Sequence, residues 1–180
     1  MMRPRPNTRG VTLRRVAAAL LLAASAEPLL AADQSASGPA PEAIARDVEQ
    51  LKAQYDAQPS SGALREQLAL GYNALGVSLA NRQQWDPAVQ QFLAAQMLEP
   101  DNTTIQQNLL STRLGAAFAL YNARKSQQAK TVIDQALRYP VASYEALLLA
   151  GQLAYENQRL KEAESYWTRA LKLNPKAEDV

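Results

Sequence analysis

The sequence predicts an all-α chain built from about three stacked helical hairpins, with an extra helix on their N-terminal side. Three observations carry that prediction. The 180 residues include only seven glycines and two phenylalanines beside abundant Ala, Leu and Gln, a balance that favours helix over strand. Prolines punctuate the body at Pro59, Pro100, Pro140 and Pro175, with spacings of 41, 40 and 35 residues. The last three each close a segment with one internal pattern: a small residue, a large one four positions on, and an alanine three positions beyond that. The triplets are Ala88, Phe92, Ala95; Ala129, Ile133, Ala136; and Ala163, Trp167, Ala170. Steps of four and three place each triplet on one helix face, where the alanines admit a neighbouring helix and the large residue wedges between.

Before the helices comes a different kind of segment. Arg3, Arg5, Arg9, Arg14 and Arg15 precede a short apolar run, Val16–Ala24, interrupted by Ser25, Glu27 and Pro28 and followed by small residues at Ala31 and Ala32. A basic start, an apolar middle and a small-residue end make the layout of a secretory signal peptide. The run is about half the roughly 20 residues a membrane span needs. Residues 1–32 are therefore expected to be removed after Ala32, with Ala26 as the second choice of cut. A mitochondrial transit peptide shares the arginines, but the compact Leu/Ala core fits secretion better. The mature chain is expected in the periplasm, with no stable membrane span, and the absence of Cys excludes a lipoprotein anchor. Residues 33–41, small, polar and Pro-containing, read as a flexible linker.

Residues 42–58 form the extra helix, with apolar positions at Ile44, Val48, Leu51 and Tyr55 recurring at helical spacing. Three hairpins follow, over residues 59–102, 103–141 and 142–177. The residues after Pro59 and Pro100 are helix formers rather than loop formers, so the first helices of hairpins one and two are expected to be about two turns longer than usual. The joints are polar, at residues 81–84 and 157–159, and Asp86 followed by Pro87 predicts an N-cap with Pro at the first helical position. Gly76 and Gly151 each lie 12 residues before the alanine that opens the next helix. A helical glycine costs about 1 kcal/mol relative to Ala, so a repeated one points to a tight crossing.

These features resemble the tetratricopeptide repeat, a 34-residue helix–turn–helix unit with a W-x2-L-G-x2-Y…A-x3-F…P pattern. Tyr72, Leu75, Gly76, Leu79, Ala88, Phe92, Ala95 and Pro100 carry the likeness in the first hairpin; Leu147, Ala150, Gly151, Ala154, Ala163, Trp167, Ala170 and Pro175 carry it in the third. The middle hairpin diverges: counting back from Ala129 puts Ala117 at the glycine position and Ser126 where a bulky residue is usual, while Leu114-Gly115 lies two residues off that frame. The resemblance is to exported bacterial members of the family, and it implies a right-handed α-α superhelix whose first helices line a concave groove.

Carrying the family's groove positions onto this sequence marks Asn73, Val77, Asn81, Tyr121, Asn122, Gln152 and Tyr155 as the peptide-binding set. The same positions include Phe118 and Leu148, for which burial is expected, whereas Asn73, Asn81 and Asn122 are expected to be exposed. Amides that can bond a backbone beside aromatic and apolar faces suit a partner protein or extended peptide. The family's clamp for a terminal carboxylate lacks its Lys and Arg here, so a free C-terminus is not the expected target.

Other functions lose their residues. With no His and no Cys, the usual nucleophiles, imidazole triads and thiolate metal sites are absent, and no cofactor or metal is expected. The Glu162/Glu164 and Glu178/Asp179 pairs read as solvated charge, and no glycine-rich phosphate loop occurs. From Asp33 onward there are 14 basic and 16 acidic residues, a net charge of −2 that offers nucleic acid no footprint. A non-enzymatic interaction scaffold of the cell envelope is the expectation; the alternative is the adaptor portion of a longer secreted enzyme. The last hairpin is expected to leave Trp167 or Leu171 uncovered, inviting self-association or a covering partner there.

Overall fold

A computed structural model describes residues 39–138 and 143–175. Seven α-helices occur among them: α1 (Pro41–Ala57), α2 (Gly62–Ala80), α3 (Trp85–Leu98), α4 (Thr103–Asn122), α5 (Ser126–Ala136), α6 (Tyr144–Glu156) and α7 (Leu160–Leu173), with no strand among the described residues. The fold is all-α, a repeat of helical hairpins preceded by one extra helix. Residues 1–32, expected to be a signal peptide, most of the expected linker, Pro140 and Glu178/Asp179 lie outside the described residues. The helices fall into two compact units, one containing α1 to α5 and the other α6 and α7.

Within the first unit α2 pairs with α3 and α4 with α5, while α1 packs on α2 as α3 packs on α4. The extra helix thus takes the place of a second helix in an incomplete hairpin. Val48 is buried, and Ile44, Leu51 and Tyr55 pack half-buried around the same core as Leu68, Leu75, Leu79, Phe92 and Leu109. Gly71 gives α1 its close approach, since a Cβ there would lie 3.1 Å from Val48 Cγ2. With 19 and 20 residues against 13 in α6, α2 and α4 carry about two extra turns.

First and second helices start by different devices. Each first helix has a polar N-cap whose side-chain oxygen accepts a backbone N–H: Leu64 N donates to Ser61 Oγ, Ile105 N to Asn102 Oδ1 and Ala146 N to Ser143 Oγ. The second helices have no side-chain cap. Each follows a joint of four residues (81–84) or three (123–125 and 157–159) holding a left-handed residue, Gln83 (φ 57°), Arg124 (φ 61°) or Gln158 (φ 60°). The next amide turns back to the preceding helix: Gln84 N donates to Leu79 O, Lys125 N to Leu120 O and Arg159 N to Ala154 O. That is a Schellman closure, made three times without a glycine. It also corrects the expected cap at Asp86. The closed joint already turns the chain at Gln83, so α3 starts at Trp85 and Asp86 and Pro87 lie inside its first turn.

The left-handed residues put all three hairpins in one frame. Each stands five residues before a buried alanine (Ala88, Ala129, Ala163) and seven after a buried small residue (Gly76, Ala117, Gly151). The middle hairpin therefore follows the frame set by Ala129. Gly115, two positions off it, serves a contact with the preceding helix: a Cβ there would lie 2.9 Å from Trp85 Cη2. All nine residues of the small–large–small triplets are buried.

Candidate interaction surface

The triplets fix which face of each first helix is left over. Phe92 lies across Gly76, where a Cβ would come within 2.8 Å of its ring, and Trp167 lies across Gly151, where a Cβ would come within 2.2 Å of its Nε1. Each aromatic fills the notch its glycine leaves, so the inward face of the first helix is used inside its own hairpin. What remains on α2 is a stripe with Leu70, Asn73 and Val77, and on α4 one with Ser111, Phe118 and Asn122.

In the first unit these stripes lie side by side, joined where Asn108 Nδ2 donates to Asn73 Oδ1 at 2.9 Å. Asn73 is thus half-buried and already bonded across the two helices, which corrects its expected exposure. Val77 and Phe118 occupy equivalent positions, each one residue beyond the frame's buried small residue, and both remain open, at 36% and 39% exposure. Burial was expected for Phe118. The physical reason for the difference is one of phase: Phe118 stands one residue, about 100° around the helix, beyond the fully buried Ala117, off the face that packs inside the hairpin. Asn81 and Asn122 are exposed at the C-terminal ends of α2 and α4, and Tyr121 is half-buried.

In the second unit α6 presents its own counterparts. Gln152 is half-buried, with Nε2 donating to Glu156 Oε1 at 2.8 Å, and Tyr155 is 47% exposed with its ring 5.8 Å from that of Trp167. Leu148 is half-buried against the Ala154, Ala163 and Trp167 cluster. Trp167 itself is only 3% exposed, which corrects the expectation of an uncovered ring: α6 covers it, and the apolar residues left open on α7 are Leu160 and Leu173.

The neighbourhood is electrostatically quiet. Between Gln67 and Asn81 no residue is charged, and between Asn102 and Ala123 only Arg113 is, a buried side chain. Charges concentrate on other helices, as in the Lys52–Asp56 pair of α1 and the Lys130–Asp134 pair of α5. The hydrogen bond and charge of Asp56 raise the Lys52 ammonium above its ordinary pKa, and burial, aided by Glu145, raises the Tyr144 hydroxyl. Among the described residues no group of three or more His, Cys, Asp or Glu could hold a metal ion, and no helix is long and apolar enough to cross a membrane.

Two signals of this surface escape a reading along the chain. The Asn73–Asn108 bond joins residues 35 positions apart. The opening at Phe118 depends on what fails to cover it. The left-handed joints were closer to legibility, since a polar residue, Gln83, Arg124 or Gln158, recurs five positions before each small alanine. Residues 144–177, covering α6 and α7, match the family model of the tetratricopeptide repeat. No curated protein matches the chain.

Proposed function

We propose that this chain is a non-catalytic interaction scaffold that holds a segment of a partner protein against its first helices. The likeness of residues 144–177 to the tetratricopeptide repeat supports the reading for α6 and α7, and the common frame extends it to α2–α3 and α4–α5. An all-helical fold of this kind is typically non-catalytic.

The observation that carries the proposal is the pair Val77 and Phe118. Large apolar side chains cost hydration free energy wherever they stay in water, about 25 cal/mol per Å². Here two sit at equivalent positions of adjacent hairpins, with the exposed Leu70 two turns before Val77 on α2, at positions the resemblance assigns to the peptide groove. Met97, also exposed, stands apart on α3. Asn81, Tyr121 and Asn122 border the pair with groups able to bond a peptide backbone. Asn73 acts on the arrangement indirectly, by tying α2 to α4.

Photo-crosslinking tests this in cells. A photoreactive residue at position 77 or 118 should give one discrete adduct, whereas the same residue at Gln128 on α5 should give none. Equal adducts at all three positions would sink the proposal. We further propose that the scaffold works outside the cytoplasm after removal of residues 1–32, as the basic, apolar and small-residue layout of that segment supports. Mass spectrometry of the mature chain should find a first residue of Asp33, or Glu27 for the second choice of cut.

A further inference from the structure

We infer that the segment held by the α2–α4 face is an uncharged stretch of polypeptide with apolar side chains at its centre. The inference rests on the scaffold reading above and adds the chemistry of the occupant. The face is defined by Leu70 and Val77 on α2 and by Ser111 and Phe118 on α4, with the two helices joined by the Asn73–Asn108 bond. Across it the chain places no exposed charge: residues 67–81 contain none, and Arg113, the one charge in residues 102–123, is buried.

That blank zone stands out against the rest of the unit. The extra helix α1 alone carries Glu42, Arg46, Asp47, Glu49, Lys52 and Asp56. At one edge of the face Arg65 is committed to Glu99, with 3.0 Å between Nε and Oε1. At the other, Arg82 Nη1 donates to Ser78 O and Ser78 Oγ at 2.9 and 2.8 Å. Exposed charges stand beyond its ends: Glu66 one turn before Leu70 on α2, and Arg124 and Lys125 in the α4–α5 joint.

A carboxylate or ammonium laid over Val77 and Phe118 would give up water and meet no opposite charge, the costliest way to bury a polar group. An apolar side chain there removes the exposed surface of both partners, and the peptide's own backbone groups can bond the amides alongside. Leu70 and Val77 are seven residues apart, about 10 Å along a helix at 1.5 Å per residue. An extended chain covers that distance, together with the step to α4, in roughly four to six residues at about 3.3 Å each. Charges on the partner belong outside that core, an acidic flank at the end next to Arg124 and Lys125 and none at the end next to Glu66.

Selection of a displayed random dodecapeptide library on the full-length protein, counter-selected on the Val77→Ser/Phe118→Ser double variant, tests the inference. Both positions are exposed, and circular dichroism should show the variant to be as helical as the parent. The expected winners have four central residues free of Asp, Glu, Lys and Arg. In a synthesised winner, Asp or Lys at the centre should weaken binding at least tenfold, and raising salt from about 50 to 500 mM should change the affinity less than twofold for the uncharged core. Winners with charged cores that still need Val77 and Phe118 would overturn the inference and leave the scaffold reading standing. Winners indifferent to the double variant, or no winners at all, would overturn both.

Discussion

The contact that defines each well-matched hairpin is a ring set over a glycine, and it makes opposite demands on the two residues. Adding a methyl to a helical glycine raises helix propensity by about 1 kcal/mol, but overpacking a filled crossing costs about 1–3 kcal/mol. At Gly151 the methyl carbon would stand 2.2 Å from Trp167 Nε1, so the second effect wins and Gly151→Ala should destabilise. At Gly62, the first residue of α2, a Cβ meets nothing within 4 Å, and Gly62→Ala should be neutral or stabilise by up to about 1 kcal/mol. Denaturant titration of both variants tests the contrast; equal destabilisation would refute the ring-over-glycine account. Gly76 and Gly151 were legible in the sequence because they recur at a fixed distance from an alanine. Asn73 was legible only as a position, since its bond comes from Asn108 on another helix and no local pattern announces it.

At the scale of the element, the two kinds of helix start separate what the sequence discloses from what it conceals. Ser61, Asn102 and Ser143 are ordinary capping residues, and replacing any one by Ala should cost about 1 kcal/mol. The second helices instead rest on left-handed joints occupied by Gln83, Arg124 and Gln158, a conformation that costs a residue with a Cβ roughly 1–2 kcal/mol. Gln158→Gly should therefore raise the melting temperature of the protein, contrary to the usual effect of a surface glycine. A lowered melting temperature would contradict the left-handed assignment. Asp86-Pro87 misled for the same reason: it has the composition of a helix start, but the closure at Gln83 acts first. The crossings themselves were readable. Ala95, fully buried beside Ala69 and Ile105, sits where α2, α3 and α4 meet, and Ala95→Leu should cost about 1–3 kcal/mol in chemical denaturation.

For the molecule as a whole, charge gathers in the first and last of the described helices, α1 and α7. The middles of α2 and α4, and residues 146–155 of α6, hold no exposed charge, while α1 holds six charged residues and α7 five. The hairpin order could be read from the sequence because the small–large–small triplets repeat, and the charge distribution because it lies in the residue types themselves. Which uncharged residues stay open could not, because that depends on contacts between residues far apart in the chain, as between Asn73 and Asn108. The tryptophans add a consequence of an optical kind. The unit of α1 to α5 contains Trp85 and the unit of α6 and α7 contains Trp167, and the chain has no others. Trp167 is enclosed by side chains and its indole N–H has no hydrogen-bond partner, so its emission should be blue-shifted relative to that of Trp85, which is half open to water. Each unit thus contains its own intrinsic fluorophore, and the single replacements Trp85→Phe and Trp167→Phe allow the unfolding of one unit to be recorded while the other stays dark.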